Sequence, residues 1–325
     1  MVAGAAFAAD ASAKVKIDGS LFNYANDGTI SGLKINHQQE SWNPILDFKF
    51  SGEKAGTEIK FYNFSGTWDG NGYTSTQAAS TIHDVAWSTW FKPFDIAKVT
   101  VGEWSTNLNQ ETIDWSNTDS GCDDYGYAAG ISSNGFSFDV GLLGGQGKYW
   151  FAKADGSDAT IGTTYFKVAY GADFGTVNAM FDYKGKDDMK FGAGYNGKAG
   201  PVSFFVNALG YYTTKFTKVR VEPFVAYSNG ALSLKLFAPV TYDLTASSNA
   251  TSVFTTFKAT YSIGSVTPFF YFKSANLLAG DKIALEFKPG IDGSVGEMGY
   301  EVALDVNVAS GKTTVDVPVW FSVAF

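Results

Sequence analysis

The side chains able to do acid–base or nucleophilic chemistry are few. His37 and His83 are the only histidines in 325 residues. A catalytic triad would need one of them within hydrogen-bond reach of a carboxylate or a serine. His83 and Asp84 are chain neighbours, so on an extended strand they point to opposite faces. His37 stands near Glu40 and Ser41 in a stretch that reads as loop. No G-x-S-x-G, H-E-x-x-H or phosphate-binding P-loop occurs, and the histidines read as ordinary wall or rim residues. Cys122 is the lone cysteine and supports neither a disulfide framework nor a Cys-rich metal site. No cofactor is expected. The residues with the strongest collective chemistry are carboxylates: Glu111, Asp114, Asp119 and Asp123 fall within residues 105–123, which contain no Lys or Arg. Such a segment is either a solvated surface loop or a fixed negative field that concentrates cations where water is confined.

Elements that could hold this segment must come from the rest of the chain. Net charge is −8, and Arg220 is the single arginine among 24 basic residues, so no basic surface is offered to nucleic acid. No apolar run reaches the roughly 18 residues of a membrane-spanning helix. The first residues, with Ala6-Phe7-Ala8 before Ala9-Asp10, fit a small-x-small secretory cleavage pattern. They divide the chain into a residual signal-peptide end at 1–8 and a single domain at 9–325.

Helical periodicity is absent. Alternating segments of about ten residues recur instead, separated by Gly, Asn, Asp or Ser. They predict strands near 13–24, 43–51, 56–65, 81–91, 96–104, 124–133, 135–144, 161–173, 175–184, 188–197, 201–212, 217–228, 231–242, 252–262, 265–274, 280–288, 295–308 and 312–325. That is about eighteen strands, with sixteen as the alternative. Residues 29–36 belong either to the first long loop or to an extension of the second strand. Asn134-Gly135 and Asn229-Gly230 are hairpin turn signals, because both residue types tolerate positive φ. Residues 289–294 fall between two predicted strands as a short link.

The alternation puts Phe136, Phe138, Val140 and Leu142 on one face, as it does Phe166, Val168 and Tyr170, and Tyr300, Val302, Leu304 and Val306. Charged residues such as Lys218, Arg220, Glu222, Glu301 and Asp305 take the other face. Alternation alone does not say which face is outside, since a soluble sandwich also alternates. Link lengths say more. Short links such as 52–55, 92–95 and 263–265 alternate with long ones such as 25–42, 66–80, 105–123, 145–160 and 243–251. Short turns on one rim and long loops on the other predict an all-β, antiparallel, up-and-down transmembrane barrel. Trp87, Trp90 and Phe91, with Tyr125 and Tyr127, would form interfacial girdles. Tyr165, Tyr211, Tyr271 and Trp320 have the inward parity and could line the lumen.

The last strand carries a more specific signal. Val315, Val317, Val319, Phe321, Val323 and Phe325 share one face, which stays apolar to the final residue. This ending resembles the C-terminal signature of bacterial outer-membrane β-barrels of the general porin type. The resemblance implies that Phe321, Val323 and Phe325 are read by the outer-membrane insertion machinery. It also implies membrane lipid, ions and small hydrophilic solutes as partners, and it leaves open whether copies associate as a homo-oligomer. In that family the third long loop folds into the bore and narrows it, with acids opposite basic wall residues. Residues 105–123 are the third long link here, so the resemblance assigns Glu111, Asp114 and Asp119 to a constriction. The family's arginine cluster is missing, and Lys167, Lys218, Lys258 and Arg220 stand in its place. The expected function is an outer-membrane porin, a passive and mildly cation-selective diffusion channel. A surface adhesin or purely structural barrel is the alternative, and an outer-membrane enzyme is the third.

Overall fold

The computed structural model describes residues 8–25, 27–32, 34–38, 46–62, 65–68, 73–74, 84–113, 118–142, 164–185, 187–247 and 250–324. Residues 1–7 of the N-terminal processing pattern, His83, Asp114, Phe325 and most of the predicted loops 66–80 and 145–160 lie outside these residues. So do the side chains of His37, Cys122 and Tyr125. Among the described residues the secondary structure is antiparallel β throughout, with one 3-10 turn at Gly280–Lys282. No helix is long and apolar enough to cross a membrane, which says nothing against crossing by strands.

The sheet returns to its own beginning. The first strand, Ala8–Tyr24, pairs along one edge with the last, Lys312–Ala324, through Val15↔Val323 and Gly19↔Val319. Its other edge pairs with Leu46–Ser51, Lys34–Gln38 and Ile30–Ser31 in turn. Residues 29–36 therefore extend the line of the second strand, one of the two placements the sequence allowed. From there each strand pairs with the next in the chain, and some sheet positions are filled by two short segments end to end, as with Leu232–Phe237 and Val240–Asp243. A closed ladder leaves no sheet edge, the condition for strands in lipid.

Neighbouring residues settle which face is outside. Val206 is 40 % exposed while Asn207 is fully buried, and Val221 is 39 % exposed while Glu222 is fully buried. A water-soluble sandwich would invert this, hiding valine and wetting the acid. The outer face also carries a chain of rings, Phe138–Phe166–Phe181–Phe191 on successive strands and then Phe216 one strand beyond the next, with centroids 5.0 to 6.4 Å apart. Such cross-strand aromatic contacts stabilise a sheet beyond their burial.

Four local expectations need correction. The short link expected at 289–294, which begins with Pro289 and Gly290, is not there. Both residues sit inside the strand Ala284–Val295, and the chain reverses at 296–297, where Gly296 has φ 60°. Gly290 is there for space, since a Cβ would come within 2.5 Å of the Phe269 ring. Next, Trp90 does not join a girdle. It shares the inward face, where its indole lies against Gly56 and Lys98 Nζ stands 5.0 Å from the ring. Phe91 and Tyr127 keep the exposed outer face. Finally, the strands Ala97–Asn107 and Gly121–Ser133 run further than expected, so the third link shrinks to residues 108–120. Asn134 (φ 51°) and Gly135 (φ 81°) form the expected two-residue turn, whereas the second reverses at Gly230 and Ala231, one residue late.

Candidate functional site

The described residues of the third link, 108–113 and 118–120, do not lie on the outside of the sheet. Leu108, Asn109, Glu111 and Ser120 are all buried. They are covered by the inward faces of strands far along the chain, chiefly Gly175–Gly185, Asp188–Ala199, Val202–Tyr212 and Phe216–Asn229. Ordering a loop costs about 1–2 kcal/mol of backbone entropy per residue, so this placement needs specific contacts. They come in three levels.

The first level is apolar. Leu108 packs with Tyr165, Met180 and Leu209, and Trp104 and Tyr211 close around them. Fully burying a leucine contributes about 1.5–3 kcal/mol. The second level is built of amides. Asn109 Nδ2 donates to Asn207 Oδ1 at 2.8 Å, and Asn196 Nδ2 donates to Asn109 Oδ1 at 2.6 Å. Asn178 Nδ2 reaches the Leu108 carbonyl at 2.8 Å, and Asn207 Nδ2 reaches the Asn109 carbonyl at 2.9 Å. Loop carbonyls that would otherwise be buried without partners are thereby satisfied.

The third level is charged. The Asp119 N–H donates to Glu222 Oε1 at 2.7 Å, and Lys190 Nζ donates to the Asp119 carbonyl at 2.8 Å. The Asp119 carboxylate accepts from the Tyr211 hydroxyl. It also lies 3.6 Å from Lys218 Nζ and 3.9 Å from Lys190 Nζ. Glu222, fully buried, is bonded by Arg220 Nε at 2.9 Å and by Asn207 Nδ2 at 3.0 Å. A buried carboxylate of this kind is tolerable only with such partners. Further along, Lys235 Nζ donates to the Thr112 carbonyl at 3.2 Å, and Ile113 rests on the Phe205, Phe224 and Phe237 cluster.

The expected constriction residues thus separate. Glu111, only 1 % exposed, braces the loop itself by accepting from the Ile113 N–H, and Thr118 Oγ1 accepts from the Glu111 N–H. Asp119 meets basic wall residues, with Lys218 beside it and Arg220 one carboxylate away. Lys167 supports the loop's entry, donating to the Asn107 carbonyl at 2.5 Å. Lys258 stands apart, opposite Lys235 in register and 5.4 Å from the Phe269 ring centroid. Of the tyrosines with inward parity, Tyr165 is buried beneath the loop and Tyr211 belongs to the Asp119 contact. Phe321 is exposed on the outer face, and Val323 pairs with Val15 and Met298.

Sequence reasoning missed the asparagines and Lys190. A signal existed: Asn178, Asn196 and Asn207 sit mid-strand, where asparagine is depleted, and all have the inward parity. Among the described residues no cluster of three or more potential ligands could hold a metal ion.

No protein-family model matches the chain, and no curated protein sequence matches it. Solved structures do. The outer-membrane protein OpdK of Pseudomonas aeruginosa superposes with TM-score 0.57 at 9 % identity, over 97 % of this chain and 99 % of that one. OccAB3 of Acinetobacter baumannii gives 0.51 at 10 % identity, over 97 % and 100 %. A mutant of the Rhodobacter blastica porin gives 0.50 at 14 % identity, again over 97 % and 100 %. The fold is that of outer-membrane porin barrels.

Proposed function

We propose that this chain is an outer-membrane porin, a passive diffusion channel for ions and small hydrophilic solutes whose bore is narrowed by residues 108–120. One observation carries the reading: a loop rich in polar contacts is folded against the polar inward face of a sheet whose outward face is apolar. Buried polar residues and exposed valines on the same strands are what a water-filled lumen in lipid requires. The expected barrel of about eighteen strands is compatible with the end-to-end segments among the described residues, and a barrel of that size leaves an aqueous bore.

Selectivity in this reading is weak. Glu111 is buried and turned into its own loop, and Asp119 is compensated by Lys190 and Lys218. The mild cation preference expected from the loop's acids is therefore small, because neighbouring charges of opposite sign cancel most of their field at a distance. An OpdK structure with vanillate is among the similar folds, at TM-score 0.55 and 9 % identity. At that identity a vanillate-like solute is one class to test, alongside neutral sugars of graded size. The test is purified protein in planar bilayers and in liposomes. Stepwise currents, with solute entry that falls as solute size rises, are expected. A protein that inserts and carries neither current nor solute is a structural barrel or an adhesin.

A further inference from the structure

The inward face of strand Asp188–Ala199 reads Lys190, Gly192, Gly194, Asn196. Neither Gly192 nor Gly194 has a positive φ, so backbone conformation does not require glycine at these two positions. Space does. A Cβ on Gly192 would stand 2.8 Å from both Leu108 Cδ1 and Leu209 Cδ2, and 3.1 Å from Met180 Cγ. A Cβ on Gly194 would stand 2.6 Å from Asn207 Oδ1 and 2.7 Å from Asn109 Nδ2, with Asn178 Oδ1 closer still. Register explains the pattern. Gly192 lies between Met180 and Leu209, and Gly194 lies between Asn178 and Asn207, on the flanking strands. The two glycines are thus the floor of a short groove with one apolar step and one amide step. The loop fills it in matching order, Leu108 on the apolar step and Asn109 on the amide step.

We propose that the Gly192–Gly194 groove is the positioning seat of the constriction: it locks Leu108 and Asn109 in place, so that solutes meet a fixed aperture. The proposal rests on the reading that residues 108–120 narrow a conducting bore. Gly192 and Gly194 are positioning residues, acting on solutes through the loop. Chemistry supports a lock. An apolar side chain shifted one step would bury amide groups without partners, and an asparagine shifted one step would lose its bonds among aliphatic side chains. Both errors disfavour any other register, so the loop has one seated position.

The experiment compares single-channel conductance, open-channel noise and the liposome size cut-off for wild type and variants. A channel with residues 110–117 removed calibrates it. If that deletion leaves conductance unchanged, the loop does not narrow the bore and the underlying reading fails. If the deletion raises conductance, the seat itself is tested. Gly194→Val should fill the groove, expel Asn109, and move conductance and cut-off most of the way to the deletion value, with added noise. Asn109→Ser leaves the wall untouched, so folding is not at risk, and should raise both in the same direction. Gly192→Ala should disturb the channel, and adding Leu108→Ala to it should restore wild-type conductance by returning the lost space. Wild-type conductance, noise and cut-off in Asn109→Ser and in folded Gly194→Val, beside a deletion that opens the channel, overturns the seat. So does failure of Leu108→Ala to rescue a disturbed Gly192→Ala.

Discussion

Replacing Asp119 by Asn should shift ion selectivity towards anions, by an amount set by how closely ions pass its carboxylate. The carboxylate is 41 % exposed, so it faces both the wall and the solution in the bore. The substitution keeps the shape of the side chain and both backbone anchors, the N–H to Glu222 and the carbonyl from Lys190. The loop should therefore stay where it is. What changes is one unit of charge beside two ammonium groups at 3.6 and 3.9 Å, which lose their shared counter-charge. Taking an ion that passes about 7 Å away in water, one charge contributes about 0.6 kcal/mol before screening. With a Debye length of about 10 Å at 0.1 M salt, roughly half of that survives, about 0.3 kcal/mol. Losing it lowers local cation concentration about 1.7-fold and raises that of anions equally, so the permeability ratio moves about threefold. At 1 M, with screening over about 3 Å, the same change is only about 1.2-fold. An ion pair this exposed stabilises the fold by about 1 kcal/mol at most, so the barrel should survive the change. Reversal potential in a tenfold salt gradient is the readout, taken at low and high salt. A reversal potential identical to wild type at low salt, with unchanged conductance, would refute the placement of Asp119 at the aperture.

Further outcomes follow from the same geometry. Leu304→Lys or Val317→Lys places a charge on the lipid face and should cost about 2–4 kcal/mol in lipid refolding, measured by urea titration in liposomes. Asp305→Lys or Asp316→Lys should be tolerated, because these two inward residues are direct partners and one lysine turns a like-charge pair into an attractive one; equal damage at both parities would contradict the face assignment. Deleting Phe325 should lower outer-membrane levels in cells more than refolding yield in detergent, and unchanged membrane levels would remove its role as an assembly signal. Gly135→Ala should destabilise by about 1–2 kcal/mol, since φ of 81° disfavours any Cβ and the added methyl meets the Gly171 carbonyl. Denaturant midpoints of the refolded barrel check this, and an unchanged midpoint would mean that the turn relaxes.

Much of the architecture was legible because a barrel wall is a local pattern. Val206 beside Asn207 and Val221 beside Glu222 announce two faces without knowledge of any partner strand. Closure was legible less directly: the apolar face of 315–323 suits lipid, and strands in lipid need paired edges, which the first and last strands give each other. Local signals also misled. Residues 289–294 read as a short link, yet the ladder to Val266–Ser274 runs through Pro289 and Gly290, because Gly290 makes room for the Phe269 ring. Trp90 looked interfacial by composition, but parity turns it inward onto Gly56. The acidic loop was visible as charge, whereas its seat was not. Asn178, Gly194 and Asn207 meet Asn109 only after three strands are in register, and Asn109 and Asn207 are 98 residues apart in the chain. The burial of Glu111 likewise depends on folding that no single segment reveals.

The central claim is that residues 108–120 stand in the conduction path, and one recording tests it directly. Thr112 has an exposed side chain at the far end of the loop, and its carbonyl is held by Lys235. With Cys122 replaced by Ser, Thr112→Cys supplies a single thiol there. A cationic methanethiosulfonate reagent is then added while current flows through one channel. If the loop narrows the bore, each modification should cut the current in an irreversible step, and the residual current should become more anion-selective. Complete modification, verified by mass, with no change in current or reversal potential would place the loop outside the path and contradict the account.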